Sequence, residues 1–187
     1  MEIIKANKNN ISKIITALKK GAVLVFPTDT VYGLVCDASN KKAVESIFKI
    51  KRRDKSKPLG VFVKDVKIAS KVAFVNENEA ELLKHNNITL ILNSRLRQGF
   101  GGRGPIKTIG IRIPKYKFLS LVLDEFKKPL AQTSANISGK PATVKIKDVL
   151  RQFKNEDVLV ADAGELPKNK PSAIIDLSGE NIKIIRK

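Results

Sequence analysis

The chain predicts a single α/β domain built on a mixed sheet. Three observations carry that reading. Segments with helical apolar spacing alternate with short apolar runs all along the chain, the signature of strands and helices that pack as layers. The composition does not shift at any point, and no repeat of fixed period or low-complexity linker divides it. The 187 residues, 42% of them hydrophobic, suit one domain spanning 1–187. A domain of this size buries roughly 70% of its unfolded surface and needs no disulfide or metal staple.

The elements follow in order. Residues 10–20, NISKIITALKK, place Ile11, Ile14, Ile15 and Leu18 at helical spacing, with Asn10 or Ser12 as cap and Gly21 as stop. AVLVFPT (22–28) is a short buried strand ended by Pro27. KKAVESIFKIKRR (41–53) sets Ala43, Val44, Ile47 and Phe48 on one face of a helix. Its basic end therefore falls at the C-terminus, where the helix dipole tolerates cations. LGVFV (59–63) and ITLILN (88–93) are strands, and between them NENEAELLKHN is a helix with an acidic first turn, capped by Asn76 or Asn78. A glycine-rich turn, GFGGRGP (99–105), precedes the strand TIGIRIP (108–114). KFLSLVLDEFKK (117–128) is an amphipathic helix, and PLAQTSANISG (129–139) begins as a strand and becomes a polar turn. KIKDVLRQF (145–153) is the last helix; DVLVADAG, AIIDLS and IKIIRK are three late strands.

Lys and Arg number 36 against 18 Asp and Glu, a net charge of +18. That surplus favours polyanionic partners without separating RNA from a nucleoside triphosphate, and lysine-rich helix surfaces account for part of it. One cysteine, Cys36, excludes an internal disulfide and fits a reducing compartment. The N-terminus lacks the apolar run of a signal peptide, and no stretch approaches ~20 apolar residues. The expectation is a soluble, cytoplasmic protein with no membrane contact. The lone histidine, His85, reads as a solvated residue near a helix end, and Cys36 as a small buried hydrophobe. A histidine triad and a Cys/His zinc site therefore lack their residues, and no protein metal ligand is expected. GFGGRGP lacks the Lys-Ser/Thr ending of a Walker loop and the strand–turn–helix setting of a dinucleotide site.

What remains is a set of polar or basic turns beside apolar elements. PTDTVYGL (27–34) gathers Thr28, Asp29, Thr30 and Tyr32 directly after a buried strand, where open α/β sheets build ligand sites. It reads equally as a turn in which Thr28 or Asp29 satisfies local N–H groups. Lys51, Arg52, Arg53, Lys55 and Lys57 form a basic run, either a solvated helix end or a grip on carboxylate or phosphate. QTSANISGKP (132–141) offers Ser134 and Asn136 in a turn able to present hydroxyl, amide and backbone donors to a phosphate. KNKPSAIIDL (168–177) carries Ser172 just before a strand and Asp176 inside it, the latter needing a partner if buried.

Taken together and in this order, four motifs resemble the YrdC (TsaC) family in its single-domain form. They are PTDTVYGL, the K-x-R of Lys51 and Arg53 followed by KPL, the S-x-N of Ser134 and Asn136 in TSANISGKPA, and PSAIIDL. The resemblance runs from about Val23 to Leu177. It implies a twisted open mixed sheet with flanking helices and a basic concave face. It also implies an activity: threonylcarbamoyl-AMP and pyrophosphate made from L-threonine, bicarbonate or CO2, and ATP, with Mg²⁺ accompanying the nucleotide. Partner proteins would pass the threonylcarbamoyl group to an adenosine beside the tRNA anticodon, and direct RNA binding is a further expectation. By resemblance, Lys51 and Arg53 neutralise the anionic reactants, and Ser134 and Asn136 bond the α-phosphate or carbamoyl oxygens. Thr28, Thr30 and Tyr32 hold the threonine, Arg112 faces a phosphate, and Thr133 and Ser172 complete the set.

Two positions depart from the family pattern. Asp54 stands where proline is common and could pair with Arg52, and Ala173 lacks a hydroxyl usual in the PSAIID segment. The competing reading is a non-catalytic module for double-stranded RNA or tRNA, which the charge supports. An aromatic content of 5% with no tryptophan argues against base stacking as its main binding mode. A carbamoyl-handling domain of the hydrogenase-maturation type is a weaker alternative for a free-standing chain.

Overall fold

A computed structural model describes residues 1–85, 87–96 and 106–187. The glycine-rich turn at 99–105 lies outside the described residues. Among those described, ten strands form one sheet and six α-helices flank it. The strands are β1 (Glu2–Lys5), β2 (Leu24–Phe26), β3 (Gly33–Asp37), β4 (Gly60–Phe62), β5 (Ile88–Asn93), β6 (Thr108–Arg112), β7 (Leu130–Ser134), β8 (Leu159–Asp162), β9 (Ala173–Asp176) and β10 (Lys183–Arg186). The helices are α1 (Ile11–Lys19), α2 (Lys41–Lys51), α3 (Val66–Val72), α4 (Glu77–Leu83), α5 (Lys117–Phe126) and α6 (Ile146–Phe153). The spatial order is β1-β8-β2-β3-β7-β4-β6-β5-β9-β10. Parallel and antiparallel pairs mix along it, as expected: β1–β8, β2–β8, β4–β6 and β5–β9 are parallel and the others antiparallel.

Period-two alternation sorts the strands between two cores. Val25, Leu34, Cys36, Val61, Leu90, Ile111 and Ala131 face a larger core with the apolar sides of α2, α3, α4 and α6. Leu24, Phe26, Val35, Phe62, Leu130 and Leu159 face a smaller core with α1 and α5. Phe26 stacks on Phe118 of α5 at 5.2 Å. On the side of α1 and α5, the β4–β6–β5 half of the sheet lies beyond the small core and opens into a cavity.

Three elements escaped the pattern reading. β3 is buried at all five positions, so no alternation marks it off from the turn before it. β1 is an edge strand of four residues, almost wholly exposed. α3 is seven residues long and is started by Asp65, whose carboxylate accepts from Ile68 N at 2.8 Å. Asn76 caps α4 in a full capping box with Glu79. Asn10, by contrast, makes no side-chain cap; its amide donates to the Lys5 carbonyl at 2.8 Å, because a short 3-10 turn (Lys8–Asn10) already leads into α1. Gly21 follows α1 at φ +83°, the left-handed stop expected there. His85 is exposed and Cys36 fully buried. No helix among the described residues is long and apolar enough to cross a membrane.

The helix that matters for the cavity is α2. Its cap is Asn40, which accepts from Ala43 N at 3.1 Å. Replacing Asn40 with alanine is expected to cost about 1 kcal/mol of folding stability, read as a lowered urea midpoint with an unchanged slope.

Candidate active site

α2 ends at Arg52, which takes the left-handed conformation at φ 52°. The reversal sends the residues on either side of Arg52 in different directions. Lys51, still on the helix, is buried to 3% exposure. Its ammonium reaches the turn after β7 and donates to the Ser134 carbonyl (2.7 Å), the Asn136 carbonyl (2.9 Å) and Asn136 Oδ1 (2.8 Å), with Ser134 Oγ at 3.4 Å. The Ser134 hydroxyl donates to Asn136 Oδ1 at 2.6 Å, so the K-x-R lysine and the S-x-N pair form one knot. The turn also returns a bond, Ser138 N to the Lys51 carbonyl at 2.8 Å. Burial, with a smaller contribution from the Arg53 charge, lowers the Lys51 pKa from 10.5 to about 8.

Arg53 points the other way and lines the cavity. Its guanidinium is set by two backbone carbonyls, Lys57 O (3.1 Å from Nε) and Pro58 O (3.1 Å from Nη2). Burial lowers its pKa, which Asp54 partly offsets. Asp54 itself turns into its own loop, accepting from Ser56 N at 2.8 Å. No bond to Arg52 is formed among the contacts of that carboxylate, so the departure from proline builds a capped turn instead.

The cavity measures about 350 Å³. Alternate residues of the open sheet face form its floor: Gly60 and Phe62 of β4, Thr108, Gly110 and Arg112 of β6, Thr89 and Ile91 of β5, Gln132 and Ser134 of β7. The PTDTVYGL turn makes one wall, and Pro171, Ser172, Ile174, Ile185 and Arg186 another. Ser172 and Ile174 both line it, so Ala173 between them belongs to the other face and its missing hydroxyl takes nothing from the cavity.

Arg112, 4% exposed, is gripped from behind. It donates to Asp29 Oδ1 at 2.6 Å and to Thr30 Oγ1 at 3.1 Å, and stands over the Phe62 ring at 5.8 Å. Its Nε is buried without a partner, a donor costly to leave unpaired and available to a ligand. The other Asp29 oxygen accepts from Lys115 N at 3.2 Å, and its carbonyl from Asn169 Nδ2 at 2.9 Å.

Arg186, on β10, is the cavity's third arginine, and the motif reading missed it. It donates to the Ser172 carbonyl (2.8 Å) and hydroxyl (3.3 Å), and the same hydroxyl bonds Thr89 Oγ1 at 2.9 Å. Burial and then the nearby Arg112 charge lower its pKa. An arginine among exposed isoleucines of a terminal strand gave no local signal; only the fold brings it to Ser172. Thr89 was hidden in the same way, inside a strand read as wholly apolar.

The remaining motif residues divide. Thr28 and Tyr32 line the cavity, but their hydroxyls serve the backbone. Thr28 donates to the Val31 carbonyl at 2.7 Å. Tyr32 donates to the Gly164 carbonyl at 2.7 Å and accepts from Ala163 N at 3.1 Å. Burial pushes its hydroxyl up to about 12. Thr30, Thr133, Ser134 and Ser172 present side chains along the wall, whereas Lys51 and Asn136 lie behind Ser134. Asp176 stays out of the cavity and binds Ser178 in a local turn.

An α/β sheet with three arginines and a row of hydroxyls around one cavity defines a domain built to hold anionic ligands. The comparisons place it further. The Sua5/YciO/YrdC family model, described as "Telomere recombination", matches residues 16–187, and the chain belongs to that family. A Methanocaldococcus jannaschii protein is 33% identical across all of this chain and 91% of its own length. A threonylcarbamoyl-AMP synthase of Pseudoalteromonas translucida is 29% identical over 91% of this chain and 95% of its own. The structure of P. abyssi Sua5 complexed with L-threonine superposes with a TM-score of 0.86 at 28% identity. That likeness covers 99% of this chain but 56% of the longer protein.

Two expectations follow from the knot. Lys51→Met strands two buried carbonyls and is expected to lower stability by about 3 kcal/mol, whereas Arg53→Ala, whose carbonyl partners are exposed, costs under about 1 kcal/mol; urea unfolding of both variants checks this. The linkage has a definite sign. Folded Lys51 (about 8) gives up its proton before unfolded lysine (10.5). Between those values the unfolded chain binds more protons, so stability rises with pH by up to about 1.4 kcal/mol per unit. The wild type is therefore expected to gain on Lys51→Met from pH 8 to 10; a gap that stays constant contradicts the assignment.

Proposed function

We propose that the chain is a threonylcarbamoyl-AMP synthase, joining L-threonine, bicarbonate or CO2, and ATP. The observation that carries this reading is the meeting of four distant segments around one cavity rich in arginine and hydroxyl groups. The relatives that carry the name, and the L-threonine complex of P. abyssi Sua5, support it.

The chemistry needs no protein nucleophile. The threonine amine attacks the carbon of CO2 and loses a proton, giving a carbamate. A carbamate oxygen then attacks the α-phosphorus of ATP. The new O–P bond forms as the bond to the β-phosphate breaks, and pyrophosphate leaves. The obstacle is bringing anions together, so catalysis is positioning plus charge neutralisation in a shielded site. Arg53, Arg112 and Arg186 supply the charge. Thr30, Thr133 and Ser172 offer hydroxyl contacts to the amino acid, and a site that pairs the substrate's own hydroxyl rejects analogues lacking it. Ser134 bonds the α-phosphate or carbamoyl oxygens, held in place by Lys51 and Asn136. Thr28 and Tyr32 shape the wall on which threonine rests.

Mg²⁺ accompanies ATP in this reading. Among the described residues no group of three His, Cys, Asp or Glu side chains is gathered for a metal. An ion carried on the nucleotide's phosphates fits that wall better than one held by carboxylates. Separate proteins would pass the threonylcarbamoyl group to the tRNA adenosine beside the anticodon. The net charge of +18 supports direct contact with that RNA, and a tRNA-modifying role fits a cytoplasmic location.

Incubation with threonine, bicarbonate, ATP and Mg²⁺ is expected to release pyrophosphate only when threonine is present. Arg53→Ala and Arg112→Ala are each expected to lower turnover at least about tenfold, the scale of a charged transition-state contact. RNA binding that falls steeply with salt, without threonine-dependent pyrophosphate release, would assign the chain to the binding modules instead.

A further inference from the structure

One row of the cavity floor carries no charge and almost no side chain. Across the sheet, Gln132 of β7 pairs with Gly60 of β4. The register Val61↔Ile111 sets Gly60 beside Gly110 of β6, and Gly110 pairs with Ile91 of β5. Two adjacent glycines leave a strip of bare peptide, bounded by a carboxamide at one end and an aliphatic side chain at the other. The row beside it carries Phe62 and Arg112.

Gln132 lies flat over this strip. A Cβ built on Gly60 would stand 2.8 Å from the Gln132 amide nitrogen and 3.3 Å from the Gly110 carbonyl oxygen. Glycine at position 60 is thus what lets the glutamine extend along the floor. A Cβ on Gly110 would meet nothing closer than 3.6 Å, so the space above Gly110 is open. The Gln132 carboxamide forms no hydrogen bond with any described residue, although it lines the cavity. An unpaired amide beside a flat, uncharged floor suits a planar ring that lies face-down on peptide and presents its polar edge sideways. A glutamine amide offers one acceptor and two donors, the complement of the amino group and ring nitrogen on an adenine edge.

We propose that Gln132 contacts the purine edge of the nucleotide, with the base lying on the Gly60–Gly110 strip and the phosphates running toward the arginines. The inference rests on the ATP-dependent reading above. Gln132 is then a specificity determinant that none of the four motifs singles out by role.

The test compares ATP and inosine triphosphate, which differ in the group at the ring edge, in the intact protein with Gln132→Ala, Gly60→Ala and the double variant. Gln132→Ala is expected to raise the KM for ATP about fivefold to tenfold, the loss of roughly one hydrogen bond, while the KM for threonine moves less than twofold. The wild-type preference for ATP over inosine triphosphate should shrink by the same factor. Gly60→Ala pushes the amide aside and should reproduce the effect, and the double variant should add nothing to it. A change in threonine KM without one in ATP KM would place the amide at the amino-acid end and overturn the proposal, as would unchanged base preference in Gln132→Ala. A wild type that binds no nucleoside triphosphate, measured by calorimetry, removes the ATP reading and this inference together. ATP binding that Gln132→Ala leaves intact removes this inference alone.

Discussion

The buried ammonium of Lys51 is the interaction on which the candidate site depends. A charge in the interior is tolerated only when its protons are taken up, and here three protons meet the two carbonyls and the side-chain oxygen of the Ser134–Asn136 turn. That arrangement fixes the end of α2 against the end of β7, two elements more than eighty residues apart in the chain. It also decides where Arg53 goes. With Lys51 turned inward and Arg52 in the left-handed conformation, the chain reverses and the next guanidinium emerges on the cavity side. One lysine thus shapes a wall it does not reach. The distinction between charge that holds the site and charge that faces the ligand is physical, since the first is spent on fixed oxygens and the second retains free donors.

The same economy governs the other two arginines. Arg112 stands in front of Asp29, and Arg186 in front of Ser172. Each is oriented by protein acceptors behind it, so little rearrangement is needed when an anion arrives. Preorganised dipoles and charges of this kind lower a barrier because their orientation is settled before the reaction begins. A reaction that joins anions, with no bond to a protein atom, asks for no more than this, and it explains how a cavity without histidine, cysteine or a Walker lysine can still be catalytic.

Much of this was legible in the sequence, and the exceptions have clear causes. Apolar periodicity located α1, α2, α5 and α6, because each buries one stripe against the sheet. It missed β3, buried on both sides, and β1, buried on neither, since alternation exists only where the two faces differ. The site was legible where a local cluster of polar groups advertised it, as in PTDTVYGL and TSANISGKP. It was illegible where the cavity takes single residues from ordinary strands: Thr89, Gln132 and Arg186 look like any residue of a sheet until the strand order is known. Hydroxyl direction was equally hidden. Nothing in the letters PTDTVYGL distinguishes Thr30, which meets Arg112, from Tyr32, whose hydroxyl turns toward Gly164.

The place of β10 has one more consequence. It is the outermost strand on its side, every one of its residues is exposed, and its pairing with β9 is broken by a bulge. Edge strands of this kind unzip at lower free energy than the interior of a sheet. One cavity guanidinium therefore rides on the most easily frayed part of the barrier between ligand and solvent. An anion that grips Arg186 would lend that strand the cohesion it lacks, and amide exchange along residues 183–186 would slow as the ligand takes hold.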